Sequence, residues 1–283
     1  MDNTANQHII NELRKYVAKF DSQNQAATSL RNVSNATVSN ILNGKNLEKV
    51  SPEMWRNIAN QIGIGEKWNV VPTVNYNILS AVFHDSALYA NVYGIIGNAS
   101  CGKTESATQY KNNNQHVFHV KCDEFWNRRT FLSEMLHAMN IEAGGYTVPD
   151  MMATAVKHIM KIKNPIIILD EFDKVSDNIW CSVVSIYNRL EGKCGILIMG
   201  TDHLERRMIR GLRLNKKGYK ELFSRIGSKF IQLEDLSRSD IEQIIEANGI
   251  TDPEIVAEIY NDCESDLRRV RRLVHKFKMK GGR

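Results

Sequence analysis

Eight consecutive residues constrain this chain more than any others: Gly97, Asn98, Ala99, Ser100, Cys101, Gly102, Lys103 and Thr104. Two glycines at this spacing let successive backbone N–H groups curl toward one centre, where an anion can sit. A lysine directly after the second glycine can reach the outer phosphates of a nucleotide, and the hydroxyl that follows can take a place on Mg²⁺. The flanking residues suit that geometry. Residues 90–96 form an apolar run that reads as a buried strand. Residues 105–111 can open a helix, whose N-terminal dipole also favours phosphate. Strand, anion-binding turn and helix in this order predict an α/β fold. A plain glycine-rich strand-to-helix turn is the competing reading, and the residues downstream weigh against it.

Residues 116–121 read as a second strand, 130–139 and 150–162 as helices, and 165–169 as an apolar strand that delivers Asp170-Glu171 at its C-terminal end. In an open parallel sheet, ligands lie beyond the carboxyl ends of the strands, so these carboxylates can meet the phosphates. Asp170 is suited to hold the water shell of Mg²⁺, and Glu171 to polarise an attacking water. A further strand, 195–199, ends at Gly200-Thr201, whose hydroxyl can contact a γ-phosphate or position water. Alternating strands and helices argue for a parallel sheet. Residues 204–220 gather Arg206, Arg207, Arg210, Arg213, Lys216, Lys217 and Lys220 around Gly211 and Gly218. They read as a loop presenting basic side chains to DNA, with a solvated surface segment as the plain alternative. A last strand at 229–233 closes a core spanning 78–235.

Ahead of this core, residues 1–65 read as helical. Ile9, Ile10, Leu13, Val17 and Phe20 recur at helical spacing over 8–20. Ala26, Ala27 and Leu30 mark a short helix, Asn32 stands where a tight left-handed turn is needed, and Ser34 caps a helix carrying Val38, Ile41 and Leu42. The pattern resembles the repressor-type helix-turn-helix, with Thr28 and Asn32 in place of that family's usual Ala and Gly. In such a motif the second helix enters the major groove, so Asn35, Thr37, Ser39 and Asn40 are the candidates for DNA contact. A small helical bundle used for protein contacts is the other reading. Ser51-Pro52-Glu53 starts one more helix, which carries Met54, Trp55, Ile58 and Ile62; residues 66–77, containing Pro72, read as a linker. After the core, caps at Ser237 and Asp252 start two helices. Residues 266–277 then form a basic amphipathic helix with Leu267, Val270, Leu273, Val274 and Phe277 on one face, which makes 236–283 a small helical lid.

Charge is unevenly placed. The net charge is +5, yet residues 267–283 carry eight basic and no acidic side chains, and residues 1–70 carry eight basic and six acidic ones. The stretch between is therefore acidic overall, and the basic C-terminal helix can serve as a phosphate-backbone contact or as a solvated face. Cys101, Cys122, Cys181, Cys194 and Cys263 are scattered without a C-x-x-C pair, which argues against a zinc site or a disulfide framework. No run of about 18 apolar residues offers a membrane span. The first residues lack a basic start and an apolar h-region, so no secretory signal is expected and the cytoplasm is the expected compartment.

The phosphate loop, Asp170-Glu171, Thr201, Ser224-Arg225 and Asp266-Leu267-Arg268 occur in the order found in AAA+ ATPases, which the chain resembles. That resemblance implies an AAA+ P-loop core with a parallel sheet and a small helical lid, preceded by an all-α helix-turn-helix domain. It implies ATP and Mg²⁺ as cofactors, with Thr104 and Asp170 on the metal. It implies Thr201 as sensor 1, Arg225 as an arginine finger offered to a neighbouring subunit, and Arg268 as sensor 2. The helix-turn-helix joined to Lys103-Thr104-Glu105, Asp170-Glu171-Phe172-Asp173, Ile198-Met199-Gly200 and Leu222-Phe223-Ser224-Arg225-Ile226 is similar to the family of the phage Mu B transposition protein.

Membership there implies an ATPase that oligomerises on duplex target DNA as a ring or filament, delivers the DNA to a transposase, and disassembles by ATP hydrolysis. The setting would be a bacterial or phage-infected host cytoplasm. Thr201 departs from that family's Asn, and the chain ends at Arg283, where the family has a further segment that contributes to the transposase contact. Two rival readings stay open. A helicase loader or replication initiator would share the core and favour single-stranded DNA. An ATP-switched transcription regulator would favour one operator and a dimer.

Overall fold

The computed structural model describes residues 3–63 and 68–281. Two compact units emerge, Met1–Trp68 with Leu136–Gly144 and Asn69–Met135 with Gly145–Arg283. Residues 64–67, where the expected linker begins, lie outside the described residues.

The first unit is helical: α1 (Asn3–Val17), α2 (Gln23–Thr28), α3 (Asn35–Leu42), a 3₁₀ turn (Leu47–Lys49) and α4 (Pro52–Gln61). Serines start three of these helices. The hydroxyls of Ser22, Ser34 and Ser51 accept from the N–H groups of Gln25, Thr37 and Met54, and Pro52 occupies the first turn of α4, where its missing N–H goes unneeded. Asn32 takes the left-handed conformation between α2 and α3, with φ 58°. The turn is tied down from α4. Gln61 accepts from Arg31 N at 2.7 Å and donates to Arg31 O at 2.9 Å, and Asn57 donates to the same carbonyl at 3.1 Å. Leu13, Val38, Ile41 and Ile58 are fully buried with Ala27, Leu30 and Trp55 around them, so α1, α3 and α4 share one core.

The second unit carries a five-stranded sheet. Its elements are α5 (Val74–Tyr89), β1 (Val92–Ile96), α6 (Lys103–Asn113), β2 (Val117–Lys121), α7 (Arg128–Ala138), α8 (Val148–Ile159), β3 (Ile166–Asp170), α9 (Asp177–Leu190), β4 (Gly195–Gly200), α10 (Asp202–Arg213), α11 (Tyr219–Arg225) and β5 (Phe230–Gln232). Three helices follow: α12 (Arg238–Ala247), α13 (Pro253–Cys263) and α14 (Leu267–Gly281). The strand order is β2-β3-β4-β1-β5 and every pair is parallel. β3 and β4 are buried along their whole length, which is why their sequences are unbroken apolar runs rather than alternating ones. Ile95, Ile166, Ile168, Leu197 and Met199 pack with Leu79 and Phe83 of α5 and Ala107 of α6, so these two helices cover one face. β4 lies between β1 and β3. The ends of all three strands therefore converge on one edge of the sheet.

Three local expectations change. Residues 74–77, expected in the linker, form the first turn of α5, capped by Thr73, whose Oγ1 accepts from Tyr76 N. Residues 204–220 are not a loop: α10 and the start of α11 take most of them, because Leu204, Met208 and Gly211 bury one helical face. Helices α5 and α9 were not foreseen.

Candidate active site

β1 ends at Ile96, and the chain turns at once into the Gly97–Thr104 loop. Gly97 is packed so closely that an added Cβ would stand 2.9 Å from Leu233 Cβ and 3.2 Å from Cys101 Sγ. Ser100 and Gly102 take positive φ values of 63° and 99° before α6 begins at Lys103, a backbone curl of the kind that can point successive N–H groups at one centre. Lys103 is buried, and its ammonium donates to Gly97 O and Asn98 O, each at 2.8 Å. Thr104 Oγ1 donates to Asp170 Oδ2 at 2.6 Å, so the residue after the lysine and the carboxylate at the end of β3 meet directly.

Asp170 is 1% exposed. Burial alone would raise its pKa. His119, whose Nε2 lies 3.5 Å from Oδ2, the Thr104 hydroxyl and the Glu171 N–H outweigh burial and hold the carboxyl below its ordinary range. Glu171 sits just outside the strand in the left-handed conformation at φ 54°, a backbone state disfavoured for a residue with a Cβ. Its carboxylate lies 3.3 Å from the Lys121 ammonium and also receives Lys174. Sequence reasoning missed both lysines. The register does place Lys121 opposite Asp170 across β2 and β3, but strand pairing cannot be read from one sequence.

Thr201 follows β4. Its hydroxyl donates to Asp173 Oδ2 at 2.9 Å and accepts from His203 N at 3.4 Å, so it caps α10 while facing the segment after Glu171. Gly200 makes room for this contact: an added Cβ would stand 2.8 Å from Asp173 Oδ1. An oxygen-only pair such as Thr104 and Asp170 fits a hard cation. Mg²⁺ usually takes one or two carboxylates plus phosphate oxygens and water rather than an all-protein cage. Among the described residues, no three His, Cys, Asp or Glu side chains gather as a metal site.

The arginines divide into committed and free ones. Arg207 donates to Tyr219 OH at 3.1 Å, Asp173 O at 2.9 Å, Val175 O and Asp177 Oδ1 at 2.7 Å. Lys216 donates to Asp177 Oδ2 at 2.8 Å. Both are expected DNA contacts that the structure pairs with Asp177, Arg207 half-buried and Lys216 exposed. Arg206, Arg210, Arg213 and Lys217 stand exposed, and Ile209 and Leu214 share that surface at 56% and 54% exposure. Arg225 ends α11 with its guanidinium 4.6 Å from the Tyr187 ring centroid, a cation–π contact that leaves the fork open. Arg268 is exposed in the first turn of α14, whose start Asp266 caps by accepting from Arg268 N at 2.7 Å. Leu267 Cδ1 lies 3.8 Å from where a Cβ on Gly102 would stand, so this turn of the lid borders the phosphate loop.

On α3, Asn35 is engaged by Gln23 and Asn24, Thr37 pairs with the capping Ser34 hydroxyl, Ser39 accepts from Asn43, and Asn40 is half-buried. The four candidates lie on one short helix, with Asn35 the most exposed and the most restrained.

A family model described as AAA domain matches residues 88–208, which takes in the phosphate loop, Asp170-Glu171 and Thr201 but stops before Arg225 and the lid. None of the curated proteins compared with the chain matches it. Among solved structures it is similar to a closed-state cryo-EM reconstruction of Hsp104 with ATPyS and FITC casein, at 14% identity and a TM-score of 0.39. That alignment covers 95% of this chain, and the chain spans 57% of the length of the other. The fold is an AAA+ one, a parallel α/β core followed by helices, and the matched domain supports an AAA+ ATPase. Among the described residues, no helix is long and apolar enough to cross a membrane.

Proposed function

We propose that this chain is an ATP-dependent DNA-binding protein that oligomerises on duplex target DNA and delivers it to a transposase, with ATP hydrolysis disassembling the complex. ATP supplies the phosphoanhydride to be split, and Mg²⁺ the charge that neutralises its oxygens. Lys103 and the loop N–H groups of 98–104 bind the phosphates. Thr104 and Asp170 hold the metal, and Glu171 accepts a proton from the attacking water. Thr201 orients the segment around Asp173. Arg225, open at the end of α11, is offered to the site of a neighbouring copy, and Arg268 approaches its own site with the lid.

The observation that carries the DNA reading is the exposed basic face of α10. Among the described residues, Arg206, Arg210 and Arg213 make no ion pair there, in the same chain as a helical unit whose α2 and α3 resemble a helix-turn-helix. Such a surface binds backbone phosphate, so affinity should fall with salt at a log–log slope of about −0.9 per phosphate neutralised, with little dependence on sequence.

Electron microscopy on long random-sequence duplex, with ATP, with ADP and without nucleotide, tests the reading. Continuous rings or filaments with ATP alone are expected. Discrete complexes at one site, indifferent to nucleotide, would refute it and favour a switch-type regulator; preference for single strands would favour a helicase loader.

A further inference from the structure

Three stretches meet at one buried amide. Asn75, in the first turn of α5, is 2% exposed. Its Nδ2 donates to Glu234 O at 2.8 Å and, more weakly, to Cys101 O at 3.4 Å, while its Oδ1 accepts from Glu234 N at 3.2 Å. Cys101 belongs to the phosphate loop. Glu234 is where the chain leaves β5 for the lid, just after Leu233 N makes the last sheet bond, to Ile96 O at 2.8 Å. A second link runs beside the first: Asn98 Nδ2 donates to Asp235 Oδ1 at 2.6 Å. Residues 69–74, just ahead of Asn75, are also bound to α12 and its end. Val74 N donates to Asp240 Oδ1 at 3.3 Å, and Asn69 and Asn248 exchange bonds of 2.8 and 3.0 Å.

The two links share a mechanical property. Lys103 rests on Gly97 O and Asn98 O, so an ammonium that turns to a phosphate must release the backbone of Asn98, the residue whose side chain grips Asp235. Cys101 O, on the other limb of the loop, is gripped by Asn75, which also fixes Glu234 on both its backbone groups. Both limbs are therefore tied to adjacent residues at the root of the lid.

We infer that Asn75 and the Asn98–Asp235 pair are a relay that converts phosphate binding in the loop into a change in the setting of α12 and the lid. Asn75 and Asp235 act as positioning residues. This rests on the nucleotide reading above and adds a route that bypasses Arg268.

Hydrogen exchange of the full chain, with and without MgATP, tests it in wild type, Asp235→Ala and Asn75→Ser. In wild type, ATP should protect both the 97–104 loop and α12. Asp235 is exposed, so its variant keeps the fold; it should retain loop protection and lose about tenfold of the ATP-induced protection in α12, the scale of one charge-assisted hydrogen bond. Asn75→Ser should show the same split. Loop and lid protection both at wild-type level in Asp235→Ala would overturn the relay and leave the nucleotide reading standing. No loop protection in wild type would overturn both.

Discussion

Replacing Gly211 by alanine tests the packing of α11 on α10. An added Cβ would stand 2.0, 2.3 and 2.5 Å from Cδ1, Cε1 and Cγ of Tyr219, well inside any tolerable contact. The ring has no free direction. Trp180 stacks on it at 4.3 Å and is itself fully buried, and the Tyr219 hydroxyl is fixed by Asp177 at 2.7 Å and Arg207 at 3.1 Å. Relief therefore means moving α11 away from α10 or breaking the hydroxyl's bonds.

Overpacking of this kind costs about 1–3 kcal/mol. Loosening a hydrogen bond to a charged group adds about 1.5–3 kcal/mol. Alanine returns up to about 1 kcal/mol through helix propensity. The balance is about 3 kcal/mol, or a fall in Tm of roughly 6–12 °C at about 2–4 °C per kcal/mol for a unit of this size. Scanning calorimetry of Gly211→Ala, Tyr219→Ala and the double variant gives the answer. With the ring gone, the alanine should cost nothing further. An equal drop on both backgrounds, or a drop of under about 2 °C in the single variant, would refute the reasoning.

Lys103→Ala removes the ammonium from the loop, and fluorescent-nucleotide titration should show ATP affinity falling by about a hundredfold or more; retention of ATP-dependent DNA binding at the wild-type level would overturn the assignment. Glu171→Gln keeps the shape of the side chain but not the base, so single-turnover hydrolysis should fall by about 10²–10⁴-fold while ATP still binds; unchanged turnover would remove Glu171 from its role. Arg225→Ala and Lys103→Ala should each be inactive alone, and a mixture should recover part of the ATPase activity if Arg225 serves a neighbouring copy; no recovery at any ratio argues for a role within one chain. Burial and Asp177 push the Tyr219 hydroxyl up to about 12. A raised phenol pKa gives stability that is present below its ordinary value of about 10 and is lost as pH rises through 12. Tyr16, Tyr93, Tyr110 and Tyr187 are raised as well, so spectrophotometric titration should show several late tyrosines, and the one lost from the region near pH 12 in Tyr219→Phe identifies this group. Burial would raise the pKa of Asp177, but Lys216, Tyr219 and Arg207 depress it, so its contribution is present above about pH 4 and lost on acidification below that.

The parts that were legible share a physical reason. The phosphate loop, Asp170-Glu171 and the turn at Asn32 depend on local backbone demands, and these leave a mark on few residue types. α5 left no such mark: Ile78, Leu79, Val82, Phe83 and Ala87 face the core, but Val74, Leu88 and Tyr89 are exposed on the other side, so apolar residues surround the helix and no one-sided stripe stands out, although Thr73 was available as a cap. α10 was taken for a loop because Gly211 and the clustered arginines hide the spacing of Leu204 and Met208; the glycine is there because Tyr219 sits on it. The pairing of Arg207 and Lys216 was not read for a related reason. Their partner Asp177 belongs to α9, which had not been read, and contacts across 30 and 39 positions of sequence have no local trace.

The edges of the sheet set what kind of assembly this chain can join. β5 is three residues long, and β2 is five residues that end in the charged Lys121. A very short edge and an edge tipped with charge are each poor templates for adding a strand from another molecule. Copies of this protein would therefore meet through helical surfaces and side chains, not through a shared ladder of backbone bonds. Such a contact can be broken again by a modest change in free energy, whereas strands added edge to edge form an aggregate that does not readily come apart.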